Sequence, residues 1–204
     1  MKNGGYMKDA LVLFVITLIS GFLLGGVYQM TKEPIEKANL AANLAAYKTV
    51  FPEAADFQSV DGSEEAIESC NADLVSGQFG NAGVDQVLQA VDGSGNGAGY
   101  VITSYSEDSY SGLVRLSVGI KADGSISGVE LLEISDTPGL GLKAAEPDFK
   151  NQYVGKNTES LTVVKSGNAG DAEINSISGA TITSSAVTNA VNAALYYVHN
   201  YINQ

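Results

Sequence analysis

Apolar and polar positions divide this chain into stretches of different period. From Ala10 to Val27 the sequence ALVLFVITLISGFLLGGV is almost wholly apolar, and no charged residue occurs between Asp9 and Lys32. Those 22 uncharged residues make a helix of about 33 Å at about 1.5 Å per residue, enough for a hydrocarbon core of about 30 Å. The run exceeds the roughly 7–15 apolar residues of a cleaved signal peptide, and Gly25-Gly26-Val27-Tyr28-Gln29-Met30 offers no small-x-small cleavage site. An uncleaved membrane anchor is therefore expected. Lys2 and Lys8 precede the span while Lys32 and Lys37 follow it, so charge gives little help with orientation. Gly21 and Gly25 share one face, a spacing that lets membrane helices pack closely and that also arises by chance in so apolar a run.

Beyond the span, Lys32-Glu33-Pro34-Ile35 opens an alanine-rich stretch, Glu36 to Val50, whose composition favours a helix with Pro34 in its first turn. Phe51-Pro52 ends it. Asp56 to Gly83 is polar and without clear period, which predicts loops with at most a short helix or strand. Four strand-like runs follow, Gln86–Val91, Gly99–Tyr105, Leu113–Ile120 and Ser125–Glu133, separated by Gly, Ser and Asp. Asp123-Gly124 between the last two predicts an antiparallel hairpin with a two-residue turn. Ser94 to Gly99 reads as a turn, and with no Lys-Ser/Thr ending it is not a P-loop. Ala144–Tyr153 is a candidate short helix and Leu161–Lys165 a further short strand. At the end, Val187, Val191, Ala194, Leu195, Val198 and Ile202 recur at three- and four-residue spacing, which predicts a helix from about Thr183 to Tyr201. The fold class this implies is α+β, a small antiparallel sheet with flanking helices after one membrane helix.

Composition narrows the chemistry. The net charge of −12, from 23 Asp and Glu against 11 Lys and Arg, argues against a nucleic-acid partner or an anionic lipid surface for the main domain. Cys70 stands alone, so neither an intrachain disulfide nor a cysteine-ligated iron–sulfur centre is available, and it reads as a small apolar filler or free thiol. With His199 as the single imidazole, a His-rich metal site and a Ser-His-Asp triad are excluded, and no residue is assigned a catalytic or metal-binding role. Tyr100, Tyr105 and Tyr110 read as sheet packing.

Two segments whose starts lie 42 residues apart carry candidate chemistry. Asp136-Thr137-Pro138-Gly139-Leu140-Gly141 is at least a Pro-Gly turn leaving a strand, and Ser178-Gly179-Ala180-Thr181-Ile182-Thr183-Ser184 is at least a capped helix start. Together they have the makings of a phosphate site, because glycines let the backbone approach a ligand while hydroxyls and the first N–H groups of a helix meet an anion.

The string Ser178-Gly179-Ala180-Thr181 resembles the site at which the FMN-binding domain family carries FMN through a threonine phosphoester, and Thr181 matches the modified position. Asp136–Gly141 is similar to the Glu-Thr-Pro-Gly-Leu-Gly element of that family, with Asp136 where glutamate is usual. With its amino-terminal span, the whole chain resembles the G subunit of Rnf electron-transfer complexes and, less closely, the C subunit of the sodium-pumping NADH:quinone reductase. The resemblance implies a membrane anchor over 1–31, a helical connector over 32–55 and an FMN-binding domain over 56–204. It also implies a redox subunit of a ferredoxin:NAD oxidoreductase, with covalent FMN on Thr181 and Ser178, Gly179, Ala180, Thr183, Asp136, Thr137, Gly139, Leu140 and Gly141 around it. The partners it implies are the other Rnf subunits and a flavin transferase, with the domain extracytoplasmic. Two positions depart from the family pattern: Asn175 stands where an aspartate is usual three residues before Ser178, and Ile134-Ser135 where a histidine often precedes the Pro-Gly-Leu-Gly element. The alternative is a non-redox binding or regulatory module of the same fold that holds FMN reversibly or binds a protein partner.

Overall fold

A computed structural model describes the backbone of residues 4–75, 78–165, 167 and 169–202. Lys2 and the side chains of Lys32 and Lys37 lie outside the described residues. The chain divides into two compact units, 1–43 and 44–204. Helix α1 runs from Gly4 to Val50, and within it Tyr6–Thr31 is long and apolar enough to cross a membrane. The expected break at Lys32–Ile35 is absent: Pro34 sits inside a continuous helix rather than in the first turn of a second one. A proline removes one ladder hydrogen bond, and the helix-forming residues on either side carry the helix across it.

The second unit is built on a five-stranded antiparallel meander, β1 (Asp56–Ser59), β2 (Ala82–Val91), β3 (Gly97–Ser109), β4 (Gly112–Lys121) and β5 (Ile126–Ile134), in sequence order. All four expected strand runs are present, each within a residue or a few of its predicted bounds. The aperiodic stretch holds β1 and helix α2 (Ser63–Leu74). After β5 come a 3-10 turn (Gly141–Ala145) and the one-turn α3 (Pro147–Lys150), then β6 (Thr162–Val164) and β7 (Glu173–Asn175), which pair in parallel. Helix α4 (Thr181–Tyr197), continued by a π-helical turn to Ile202, begins two residues before the start that the periodic apolar positions suggest. The hairpin between β4 and β5 differs in its turn. Gly124 N–H donates to Lys121 C=O, and Gly124 alone has positive φ, so the loop is the three-residue Ala122-Asp123-Gly124. Asp123 instead accepts from the N–H and the hydroxyl of Ser125.

Alternation along the strands gives the sheet two apolar faces. Ile102, Leu116 and Val118 face α4 and α2 in the larger core, with Val187, Val191 and Leu195 from α4. Val101 and Ala90 point the other way, against Tyr47, Val50 and Phe51 at the end of α1. That second core depends on a bare patch in the sheet. Gly119 and Gly128 are register partners, a Cβ on Gly119 would stand 2.5 Å from Val50 O, and Ser127 Oγ donates to the same carbonyl at 2.6 Å. Gly119→Ala is therefore expected to destabilise the domain by about 1–3 kcal/mol through overpacking. Gly93→Ala, with open space around the added methyl, serves as the control in thermal unfolding.

Cys70 is fully buried in α2, and burial, with the nearby Asp73 charge, pushes its thiol up to about 12. Of the two roles its solitary place in the sequence allows, it fills the first, an inert apolar filler.

Candidate functional site

Residues 178–180 lead into α4 without a side-chain cap. Gly179 has φ +78°, a conformation that favours glycine, and a Cβ there would come 3.2 Å from Leu140 Cδ2. Ser184 holds this turn from inside: its hydroxyl donates to Ala180 O at 2.9 Å and accepts from Ile177 N–H at 2.9 Å. Ser184 N–H is the first to bond within the helix, to Ala180 O. The N–H groups of Thr181, Ile182 and Thr183 therefore have no acceptor in the helix, and the hydroxyl of Thr181 is exposed with no hydrogen bond to any described residue. Four hydroxyls lie close in sequence, and the fold treats them differently. Thr183 and Ser184 are buried and bonded within the protein, while Ser178 and Thr181 are exposed.

Facing this helix start is the turn after β5. Asp136 is 3% exposed, and it ties three segments together. Its Oδ2 accepts from Ser109 Oγ at 2.6 Å and from Thr183 Oγ1, and its Oδ1 accepts from Ser111 N–H at 2.8 Å. Burial acts to raise the carboxyl pKa, but the hydrogen bonds from Ser109, Thr183 and Ser111 outweigh it and hold Asp136 below the usual carboxylate range. Gly141 closes the knot, since a Cβ on it would stand 2.5 Å from Asp136 Cβ and 2.8 Å from Thr183 Oγ1. Gly141→Ala is expected to lower stability by about 1–3 kcal/mol and to widen the gap between the two loops, which denaturant titration and loop proteolysis would detect.

Between these elements lies a cavity of about 580 Å³ lined by Tyr110, Thr137, Leu140, Gly141 and Gly179 through Thr183. The structure thus brings together the two segments that carry the candidate chemistry and adds Tyr110, which the sequence alone assigns to sheet packing. Tyr110 stands in the two-residue turn between β3 and β4, where Ser109 pairs with Gly112, and is exposed. Of the candidate residues, Thr137, Leu140, Gly141, Gly179, Ala180, Thr181 and Thr183 line the cavity; Ser178, Gly139 and Asp136 do not. Asn175 also lies outside the lining, in β7, with its N–H donating to Gln152 Oε1 and its carboxamide oxygen buried without a partner among the described residues. Among those residues no group of three or more His, Cys, Asp or Glu could hold a metal ion.

The FMN-binding domain family matches residues 109–196, a range that contains every residue of this site. The G subunit of the Na(+)-translocating ferredoxin:NAD(+) oxidoreductase complex of Acetobacterium woodii is 34% identical over 95% of this chain and 91% of its own length. The chain belongs to the G-subunit family of ion-translocating oxidoreductase complexes. Other members of the family include the G subunit of the ion-translocating oxidoreductase complex of Methanosarcina acetivorans, 32% identical over 94% of this chain and 93% of that protein. The corresponding subunit of a proton-translocating ferredoxin:NAD(+) oxidoreductase complex of Clostridium ljungdahlii is 27% identical over 95% and 96%. Within this family, the site fits a flavin phosphate on its own geometry. The exposed Thr181, at a helix start whose first three N–H groups have no acceptor in the helix, and the small Gly179 and Ala180 before it line one opening with Tyr110, Leu140 and Ile182.

Proposed function

We propose that this chain is an electron-transfer subunit of an ion-translocating ferredoxin:NAD oxidoreductase complex, carrying one FMN on Thr181 through a phosphodiester. The observation that carries the reading is the exposed, unbonded hydroxyl of Thr181 at the first position of α4. Maturation is a transfer from FAD by a flavin transferase. Thr181 Oγ attacks the flavin-side phosphorus, the bond to the AMP oxygen breaks with its electron pair, and the hydroxyl proton is taken up by the transferase or water.

The product keeps one negative charge beside the free N–H groups of α4, where the helix dipole contributes about 0.3–1 kcal/mol. When bound, FMN supplies the redox chemistry, taking and giving electrons one or two at a time. The protein's residues do the rest: Gly179 and Ala180 leave room for the phosphate, Ser184 fixes the turn that presents Thr181, and Asp136 fixes the facing loop. Tyr6–Thr31 anchors the chain in the membrane, 32–55 connects, and 56–204 holds the flavin on the extracytoplasmic side beside the other proteins of the complex.

Denaturing ultrafiltration of the protein from cells that express a flavin transferase tests the linkage. Yellow colour retained with the unfolded chain is expected, and flavin appearing in the filtrate would replace this reading with a reversible FMN-binding module.

A further inference from the structure

Among the described residues of the second unit, the exposed large apolar side chains are Leu44, Val75, Tyr110, Leu140, Val154 and Ile182. Three of these six, Tyr110 at 70%, Ile182 at 55% and Leu140 at 43% exposure, line the cavity that contains Thr181. Exposed aromatic area at a turn is left uncovered at a cost of apolar hydration, and here the turn that carries it is held in place. Both neighbours of Tyr110 bind the same carboxylate: Ser109 through its hydroxyl to Asp136 Oδ2 and Ser111 through its N–H to Asp136 Oδ1. Asp136 Oδ2 also takes the hydroxyl of Thr183, two residues from Thr181. One buried carboxylate therefore clamps the turn that carries the tyrosine to the helix turn that carries the attachment hydroxyl. The buried side chains of Ser109, Asp136 and Thr183 thus fix the turn that bears an exposed ring and the helix start that bears an exposed nucleophile, both lining one cavity.

We infer that Tyr110 is a cofactor-contacting residue, its ring packing against the isoalloxazine of a flavin held at Thr181, with Leu140 and Ile182 completing an apolar seat. The inference rests on the attachment proposed above. Its physical basis is the preference of flat aromatic systems for offset stacking or edge contact, combined with the area that both rings remove from water. Tethering at the phosphate makes the contact intramolecular, so a weak ring–ring preference suffices to keep the flavin seated. Phenol rings in contact with flavins also quench their fluorescence by donating an electron to the excited ring, which gives the contact an optical signature independent of turnover.

The test uses the full-length protein, matured by a flavin transferase and purified in detergent, as wild type, Tyr110→Ala and Tyr110→Phe. Each sample is read for flavin on the Thr181 peptide by mass spectrometry, for flavin emission per bound flavin, and for accessibility of that emission to iodide. Tyr110→Ala is expected to retain modified Thr181 and to gain emission severalfold, with higher iodide accessibility. Tyr110→Phe is expected to gain emission while keeping the wild-type iodide accessibility, because it preserves the packing and removes the donor. Modified Thr181 with emission and accessibility unchanged in Tyr110→Ala would overturn the ring contact alone. An unmodified Thr181 peptide in the wild type would overturn the attachment and the ring contact with it. Because Tyr110 is exposed and makes no hydrogen bond to a described residue, unfolding is not an expected outcome of either variant.

Discussion

Thr181→Val is expected to abolish flavin attachment and leave the fold unchanged. Valine keeps the β-branched shape of threonine and replaces only the hydroxyl by a methyl, so the helix turn retains its geometry. That hydroxyl makes no hydrogen bond within the described protein and lies in solvent, which puts the expected change in stability within about 0.5 kcal/mol of zero. The loss in function is complete, because the acceptor oxygen itself is gone. Thr183→Val provides the contrast. Its hydroxyl is buried and donated to Asp136, so its removal strips a bond to a charged acceptor, about 1.5–3 kcal/mol, while Thr181 remains free to react. Visible absorbance of the denatured, desalted chains separates the two: none from the first variant, a flavin spectrum from the second.

Asp136→Ala is expected to destabilise the domain most of all. Three donors from two segments, the β3–β4 turn and the start of α4, converge on this carboxylate, and charge-assisted bonds of this kind contribute about 1.5–3 kcal/mol each. They act as one network and do not add fully, so a loss on the order of 4 kcal/mol is expected, read as a fall in denaturation midpoint. The effect has a defined pH dependence. Asp136 titrates below its ordinary value in the folded protein, so between the folded and unfolded pKa the unfolded chain binds the extra proton and stability rises with pH. The contribution is fully present above the unfolded value of about 3.9 and is lost as pH falls through the folded value. The gap between wild type and Asp136→Ala should therefore be widest near neutrality and narrow on acidification below about pH 4.

Much of this architecture is legible in the sequence because its signals are local. The apolar face of α4, the four longer strands and the Gly-rich turns follow from period and composition. The pairing of Asp136–Gly141 with Ser178–Ser184 is visible only through family resemblance, since the residues are far apart in the chain. What the sequence hides has a common cause, the dependence of meaning on tertiary neighbours. Tyr110 lies in the polar interval between two strand runs, and only the folded arrangement shows that its turn, closed by the Ser109–Gly112 pairing, lines the same cavity as Leu140 and Thr181. Strand β7 is three residues with one buried side chain, Ile174, too short for any period to register. Thr183 and Ser184 look like phosphate ligands in a hydroxyl-rich string, yet Asp136 and Ala180 already hold their protons. Pro34 suggests a helix start because proline favours that position, while the helix-forming residues on both sides carry α1 through it.

The proposed attachment through Thr181 singles out one oxygen among the four hydroxyls of 178–184. Fragmentation mass spectrometry of the peptide spanning these residues, from protein made in a host with a flavin transferase, reads that oxygen directly. An added FMN, less one water, is expected on Thr181 alone. An unmodified peptide, or flavin on Ser178, Thr183 or Ser184, would contradict it.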